Sequence, residues 1–176
     1  MFSVDPVGTA DKAEFFRQLD LQANALMGDE TDYIANAANL SALIFQLVDE
    51  LNWVGFYFLR SVSELVLGPF QGKPACVRIG VGKGVCGMAV VNQETIVVAD
   101  VHAFPGHIAC DAASRSELVV PLWKDGRIFG VLDIDSPVSN RFSEQDRLGF
   151  EKLASRYCEA SRVDCSGQPR WTAGSI

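Results

Sequence analysis

The sequence lacks a basic cluster. It carries 15 Lys and Arg against 22 Asp and Glu, a formal net charge of -7, so its field repels phosphate backbones, and no local Lys/Arg run is long enough to reverse that field. No nucleic acid partner is expected. An apolar run of membrane-spanning length is also missing: the longest, such as Leu40 to Val48, is interrupted by Ser41 and Gln46 and falls well short of the roughly 20 apolar residues a span requires. No membrane association is expected either. The segment from Met1 to Lys12 includes Asp5 and Asp11 and has no apolar stretch of signal-peptide length, which points to a cytoplasmic protein. Internal repeats and low-complexity linkers are absent, so solenoids and tethered arrays are set aside. The 5 cysteines are odd in number and not arranged in short C-x-x-C pairs, which disfavours both a disulfide framework and a zinc ribbon.

What is present fits one compact core, since 176 residues are 48% hydrophobic and 21% charged. Residues 1–163 read as a single domain and 164–176 as a flexible C-terminal tail. Residues 12 to 27 place Phe15, Phe16, Leu19, Ala23 and Leu26 near a 3.6-residue period and stop at Gly28-Asp29. A second helix, entered at Thr31-Asp32, carries Leu40, Leu43, Ile44 and Leu47 on one face. From Asn52 the texture changes to runs rich in aromatic and β-branched residues. Trp53 to Leu59 and Leu65 to Phe70 read as an antiparallel hairpin, and Ala75 to Ile79 as a third strand. Val85 to Asn92 has helical spacing, and Glu94 to Ala99 is extended. Asp100 to Arg115 has no sustained period and reads as a long functional loop. Glu117 to Trp123 and Arg127 to Asp135 form a second hairpin, because Asp125-Gly126 supplies the positive φ angles of a tight turn. Ser143 and Asp146 have capping-box spacing ahead of a closing helix whose apolar face is Phe150, Leu153, Ala154 and Tyr157. This order implies an α+β fold, a mainly antiparallel central sheet flanked by N- and C-terminal helices.

Gly82-Lys83-Gly84-Val85-Cys86-Gly87 satisfies G-x-G-x-x-G, with Asp100 near the offset of a ribose-binding acid. A dinucleotide site needs that motif inside a parallel βαβ unit, and the flanking hairpin argues against one. A tight backbone turn accounts for the glycines equally well.

Three cysteines, Cys76, Cys86 and Cys110, lie near this turn or in the long loop, at spacings unlike those of zinc knuckles even with His102 and His107 available. For any one of them, a small buried hydrophobe is the plain alternative. Cys110 departs from it: the residue sits in a loop among Ala109, Asp111, Ala112 and Ala113, close in sequence to His107. Asp111 opposes thiolate formation there. Asp133 and Asp135 leave the same face of a strand and interrupt an apolar run, while Glu117 opens the adjoining strand. Carboxylates so close, once desolvated, cannot both ionise easily, so one stays protonated as a donor. A solvated sheet face before Pro137 is the competing account. Trp53 and Tyr57 share a strand face, either as core packing or as an aromatic pocket.

Taken together, Leu67-Gly68-Pro69-Phe70-Gln71-Gly72, Val85-Cys86-Gly87, Asp100-Val101-His102, the run Pro105 to Asp111 that contains Cys110, and Gly130 to Ser136 resemble the free methionine-R-sulfoxide reductases, enzymes with a GAF domain. The resemblance covers nearly the whole chain to about Tyr157. It implies that Cys110 attacks, that Cys76 resolves, and that Cys86 is a third, less essential thiol able to form an alternative disulfide. It implies that Glu117, Asp133 and Asp135 bind substrate and that Trp53 with Tyr57 receives its methyl group. Cys158 and Cys165 have no role in it. Thiolate attack on sulfoxide sulfur requires protonation of the leaving oxygen, the sulfenic acid formed condenses with a second thiol, and an external dithiol such as thioredoxin reopens the disulfide. No metal or cofactor enters this scheme, and a homodimer is the implied assembly. The rival expectation is a non-catalytic GAF sensor that binds a small ligand in the same cavity. Such sensors usually carry an output domain, and the end of this chain soon after its closing helix favours the enzyme.

Overall fold

The computed structural model describes residues 4–106 and 112–164. Two helices open the chain, α1 (Lys12–Met27) and α2 (Tyr33–Leu47). Each starts at an aspartate that accepts backbone N–H groups its first turn cannot satisfy: Asp11 from Ala13, and Asp32 from Ile34 and Ala35. Gly28, at φ 49°, ends α1.

Six strands follow, β1 (Trp53–Ser61), β2 (Glu64–Gly72), β3 (Arg78–Gly80), β4 (Ile96–Val98), β5 (Ser116–Lys124) and β6 (Arg127–Ser136), with α3 (Gly84–Asn92) between β3 and β4. They form one sheet in the order β3-β2-β1-β6-β5-β4, and every neighbouring pair is antiparallel. The chain closes on α4 (Glu144–Ala160), where Ser143 and Asp146 complete the expected capping box. The β5–β6 turn has Asp125 at φ 51° and Gly126 at φ 71°, the positive pair read from the sequence.

The sheet separates two cores. On one face α1, α2 and α4 pack against Val54, Phe56, Leu118, Val120, Leu132 and Ile134. On the other, α3 covers Tyr57, Val119 and Val131 with Val85, Ala89 and Val90. Burial on both faces explains why β1 is buried without alternation from Trp53 to Leu59.

Two expectations need adjustment. The third strand is shorter than Ala75 to Ile79: pairing begins at Arg78, opposite Val66, and residues 73–77 form the connection. Cys76 therefore lies in a loop rather than on a strand. The long loop opens with a 3-10 turn at Val101–Ala103, capped by Asp100, which accepts the His102 N–H at 3.0 Å. The expected flexible tail from 164 lies outside the described residues apart from Asp164. No described helix is long and apolar enough to cross a membrane.

Candidate active site

The α3 face of the sheet carries a polar island in an apolar surround. Register puts Trp53, Asp135 and Glu117 in one row across β1, β6 and β5, with Gly55, Asp133 and Val119 in the next row and Tyr57 opposite Val131 in the third. Directly opposed residues share a face. Five of the site residues read from the sequence are thus brought together here: Glu117, Asp133, Asp135, Trp53 and Tyr57.

The aromatic side is built on an absence. Phe70 of β2 pairs with Gly55, and a Cβ at Gly55 would come to 2.6 Å from Trp53 Cη2 and run into Phe70. With no side chain there, the Trp53 indole lies over the backbone. It stacks on Phe70 at 5.3 Å between ring centroids and on Tyr57 at 5.9 Å. The indole N–H donates to the Lys73 carbonyl at 3.1 Å, and the Tyr57 hydroxyl donates to the Cys76 carbonyl at 3.0 Å. Both bonds tie the 73–77 connection to the aromatic wall. Gly55 and Phe70 were not singled out as site residues from the sequence. The available signal was a glycine inside an aromatic strand, which marks close approach.

On the acidic side, Glu117 and Asp133 are each only 6% exposed. One ligand-type atom from each, and the Cys86 thiol, lie within 4.8 Å of one another. Burial, then the Asp133 and Asp135 charges, pushes the Glu117 carboxyl well above the usual carboxylate range. Burial likewise lifts Asp133, to about 6, while the Cys86 thiol and the Glu117 carboxyl beside it hold it down. The two groups therefore titrate as a pair, both above the usual carboxylate range. One Asp133 oxygen, Oδ1, has no hydrogen-bond partner. Asp135 is half-buried and contributes negative charge to Glu117, Tyr57 and Cys86.

Cys86 occupies the first turn of α3, whose position follows from the glycine motif. A Cβ at Gly87 would run into the Gly80 carbonyl, and the Gly82 N–H donates to the Gly87 carbonyl at 3.0 Å. The motif lets a turn and a helix end touch, inside an antiparallel sheet. The parallel βαβ unit that a dinucleotide site requires is not what surrounds it.

Cys76, half-buried, is disulfide-bonded, whereas Cys86 and Cys158 are free thiols. Cys110, with His107 and Asp111, lies outside the described residues. His102 is exposed beside Arg115, at 3.1 Å between Nε2 and a guanidinium nitrogen, and is not part of the Cys86, Glu117 and Asp133 cluster. Among the described residues that cluster is the group with metal-ligand donors in reach of one another. Burial disfavours the charged, ligating forms of Cys86 and Glu117, and three donors fall short of a closed structural site. The arrangement suits proton donation and recognition of a small cationic molecule with an apolar end.

The GAF domain family matches residues 27–159. The free methionine-R-sulfoxide reductase of Escherichia coli (strain K12) is 52% identical over 146 residues, spanning 83% of this chain and 88% of that protein. A solved structure described as a GAF sensor protein of Burkholderia vietnamiensis superposes with a TM-score of 0.82 at 58% identity, covering 86% of this chain and 96% of that one. The free methionine-R-sulfoxide reductase of Neisseria meningitidis, solved in complex with its substrate, gives a TM-score of 0.86 at 45% identity, covering 91% and 95% respectively.

Proposed function

Since the chain belongs to the free methionine-R-sulfoxide reductases, GAF-domain oxidoreductases, we propose that it reduces free methionine-R-sulfoxide to methionine, with Cys110 attacking and Cys76 resolving. The observation that carries this reading is the pairing of two buried carboxyls with an aromatic wall on one sheet face. The Glu117 carboxyl, kept neutral by burial, protonates the sulfoxide oxygen as the Cys110 thiolate attacks sulfur. Asp133 and Asp135 supply negative charge for the substrate ammonium. Trp53, Tyr57 and Phe70 receive the S-methyl end.

Loss of the oxygen leaves methionine and a sulfenic acid on Cys110. Attack by the Cys76 thiol then forms the disulfide and releases water. In sum, one sulfoxide and two thiols give one thioether, one disulfide and one water. That Cys76 is disulfide-bonded supports a redox role for it. The same proposal takes thioredoxin or a similar dithiol as reductant, the cytoplasm as location and a homodimer as the working unit.

The decisive assay incubates reduced protein with the free R and S epimers and with a peptide-bound sulfoxide, and measures the methionine formed. Methionine from the free R epimer alone is expected. Binding of the free amino acid without turnover would return the protein to the sensor reading, and turnover of the peptide in preference to the free R epimer would overturn the substrate assignment.

A further inference from the structure

Cys86 is a buried free thiol, 2% exposed, on the first turn of α3, and the reaction proposed above gives it no step. It does not stand alone. The Cys86 sulfur and one carboxylate oxygen each from Glu117 and Asp133 lie within 4.8 Å of one another, on residues that are each at most 6% exposed. The three come from α3, β5 and β6. Both strands are interior and laddered on two sides, and the first turn of α3 is locked to its entry loop, where the Gly82 N–H donates to the Gly87 carbonyl at 3.0 Å. Rigid backbone therefore holds the donors convergent.

Asp133 Oδ1 is buried and has no hydrogen-bond partner, a costly state for a carboxylate oxygen unless a cation meets it. The neighbouring sulfur narrows the kind of cation. Zinc takes thiolate and carboxylate oxygen together, whereas calcium and magnesium take oxygen alone and more of it. Tetrahedral zinc with bonds of about 2.0–2.3 Å holds its ligand atoms roughly 3.3–3.8 Å apart. A cluster already within 4.8 Å closes on such an ion with side-chain shifts of about 1 Å. Three donors leave the fourth position open, which is the coordination of an open site rather than of a closed structural one.

We propose that Cys86, Glu117 and Asp133 bind zinc through the Cys86 sulfur and one oxygen from each carboxyl, and that the filled site excludes substrate. The thiol proton passes to solvent as the zinc–sulfur bond forms, with no change of oxidation state. Exclusion rests on the reductase reading, in which the ion takes the place of the substrate ammonium against Asp133. Binding of the ion does not.

The test titrates the reduced full chain, freed of thiol reductant under argon, with Co2+ and then with Zn2+. A single cobalt per chain is expected to give a sulfur-to-cobalt charge-transfer band that zinc abolishes. The band persists in Cys76→Ser and in Cys110→Ser, which separates the site from the redox pair, and is lost in Cys86→Ser. Glu117→Gln and Asp133→Asn, which leave the sulfur in place, each weaken zinc by about tenfold or more. These two variants decide the matter if Cys86→Ser fails to fold by circular dichroism. No band in wild type, a band that survives Cys86→Ser, or zinc affinity unchanged in both amide variants overturns the site. Zinc should also inhibit methionine formation in competition with free methionine-R-sulfoxide, and zinc and methionine bound together on one chain would overturn the exclusion. If wild-type protein makes no methionine, the reductase reading fails instead, and the cobalt spectrum still decides the metal site.

Discussion

Glu117 stands directly opposite Asp135 in the β5–β6 register, yet one of its carboxylate oxygens comes within 4.8 Å of one on Asp133, the diagonal neighbour that is itself paired with Val119. A twisted antiparallel pair brings one diagonal of each face within reach of long side chains. The longer glutamate spans that diagonal. Two carboxyls thus share a buried space in which one charge is costly and two are more so.

That cost predicts a pH-dependent stability. Glu117 and Asp133 both titrate above their unfolded values, Asp133 at about 6. The folded protein therefore binds more protons than the unfolded chain in that window. The stability these groups contribute is full below their unfolded pKa values and is lost as pH rises through the folded ones. Glu117→Gln and Asp133→Asn remove the penalty. Each should be more stable than wild type at pH 7 to 8, by on the order of 1–3 kcal/mol, with the difference closing toward pH 4. Tm scans of both variants against pH test this; a lower Tm than wild type at pH 8 in both would contradict it.

The same substitutions should damage catalysis while they stabilise. Glu117→Gln removes the proposed proton donor, so its loss should fall on the chemical step, about a hundredfold in single-turnover rate. Asp133→Asn and Asp135→Asn should raise KM more than they lower kcat. If all three amide variants kept near-wild-type kcat/KM, the acidic site would be misassigned.

Gly55→Ala tests the aromatic wall. The new methyl would press on Trp53 and Phe70, and overpacking of this kind costs about 1–3 kcal/mol. Denaturant titration should show that loss, and KM for the sulfoxide should rise with it, since the displaced indole is the surface proposed to receive the methyl group. A stable variant with unchanged KM would mean that the wall does not touch substrate.

Tyr57→Phe keeps the ring stack but deletes the bond to the Cys76 carbonyl. Stability should fall by about 1 kcal/mol. Quenched-flow sampling should then show methionine released at the wild-type rate and disulfide formed more slowly, because the 73–77 connection is less well held. Equal slowing of both steps would place Tyr57 in the chemistry instead.

The two cysteines assigned to the cycle should fail differently. Cys110→Ser should give no methionine even in the first turnover. Cys76→Ser should give about one methionine per enzyme and then stall, since only disulfide closure is blocked. Peptide mapping of substrate-oxidised wild type should recover a Cys76–Cys110 cross-link. A dominant Cys86–Cys110 species would reassign the resolving role.

Local chemistry made much of the fold legible in advance. Asp32 and Ser143 mark helix starts because a side-chain oxygen satisfies the first N–H groups of a helix whatever else surrounds it. Asp125-Gly126 marks a hairpin because few residues adopt positive φ. Strand parity placed Asp133 with Asp135, and Trp53 with Tyr57, on common faces, because a pleated strand alternates its side chains irrespective of partners. The start of the third strand was not legible: the ladder with β2 begins at Arg78, opposite Val66, and where a ladder begins depends on the partner strand.

The sequence by itself thus determined the helices and the two hairpins, the face on which each acid and aromatic stands, and, through its motifs, the family. The tertiary structure alone decided that β1, β6 and β5 are neighbours, that Glu117 reaches Asp133 across the diagonal, and that the Cys86 thiol of α3 lies within 4.8 Å of both. These contacts join residues far apart in the chain, set by sheet order, twist and helix packing. No periodicity within a single segment encodes them, because periodicity reports which way a side chain leaves its own backbone and not what waits on the other side.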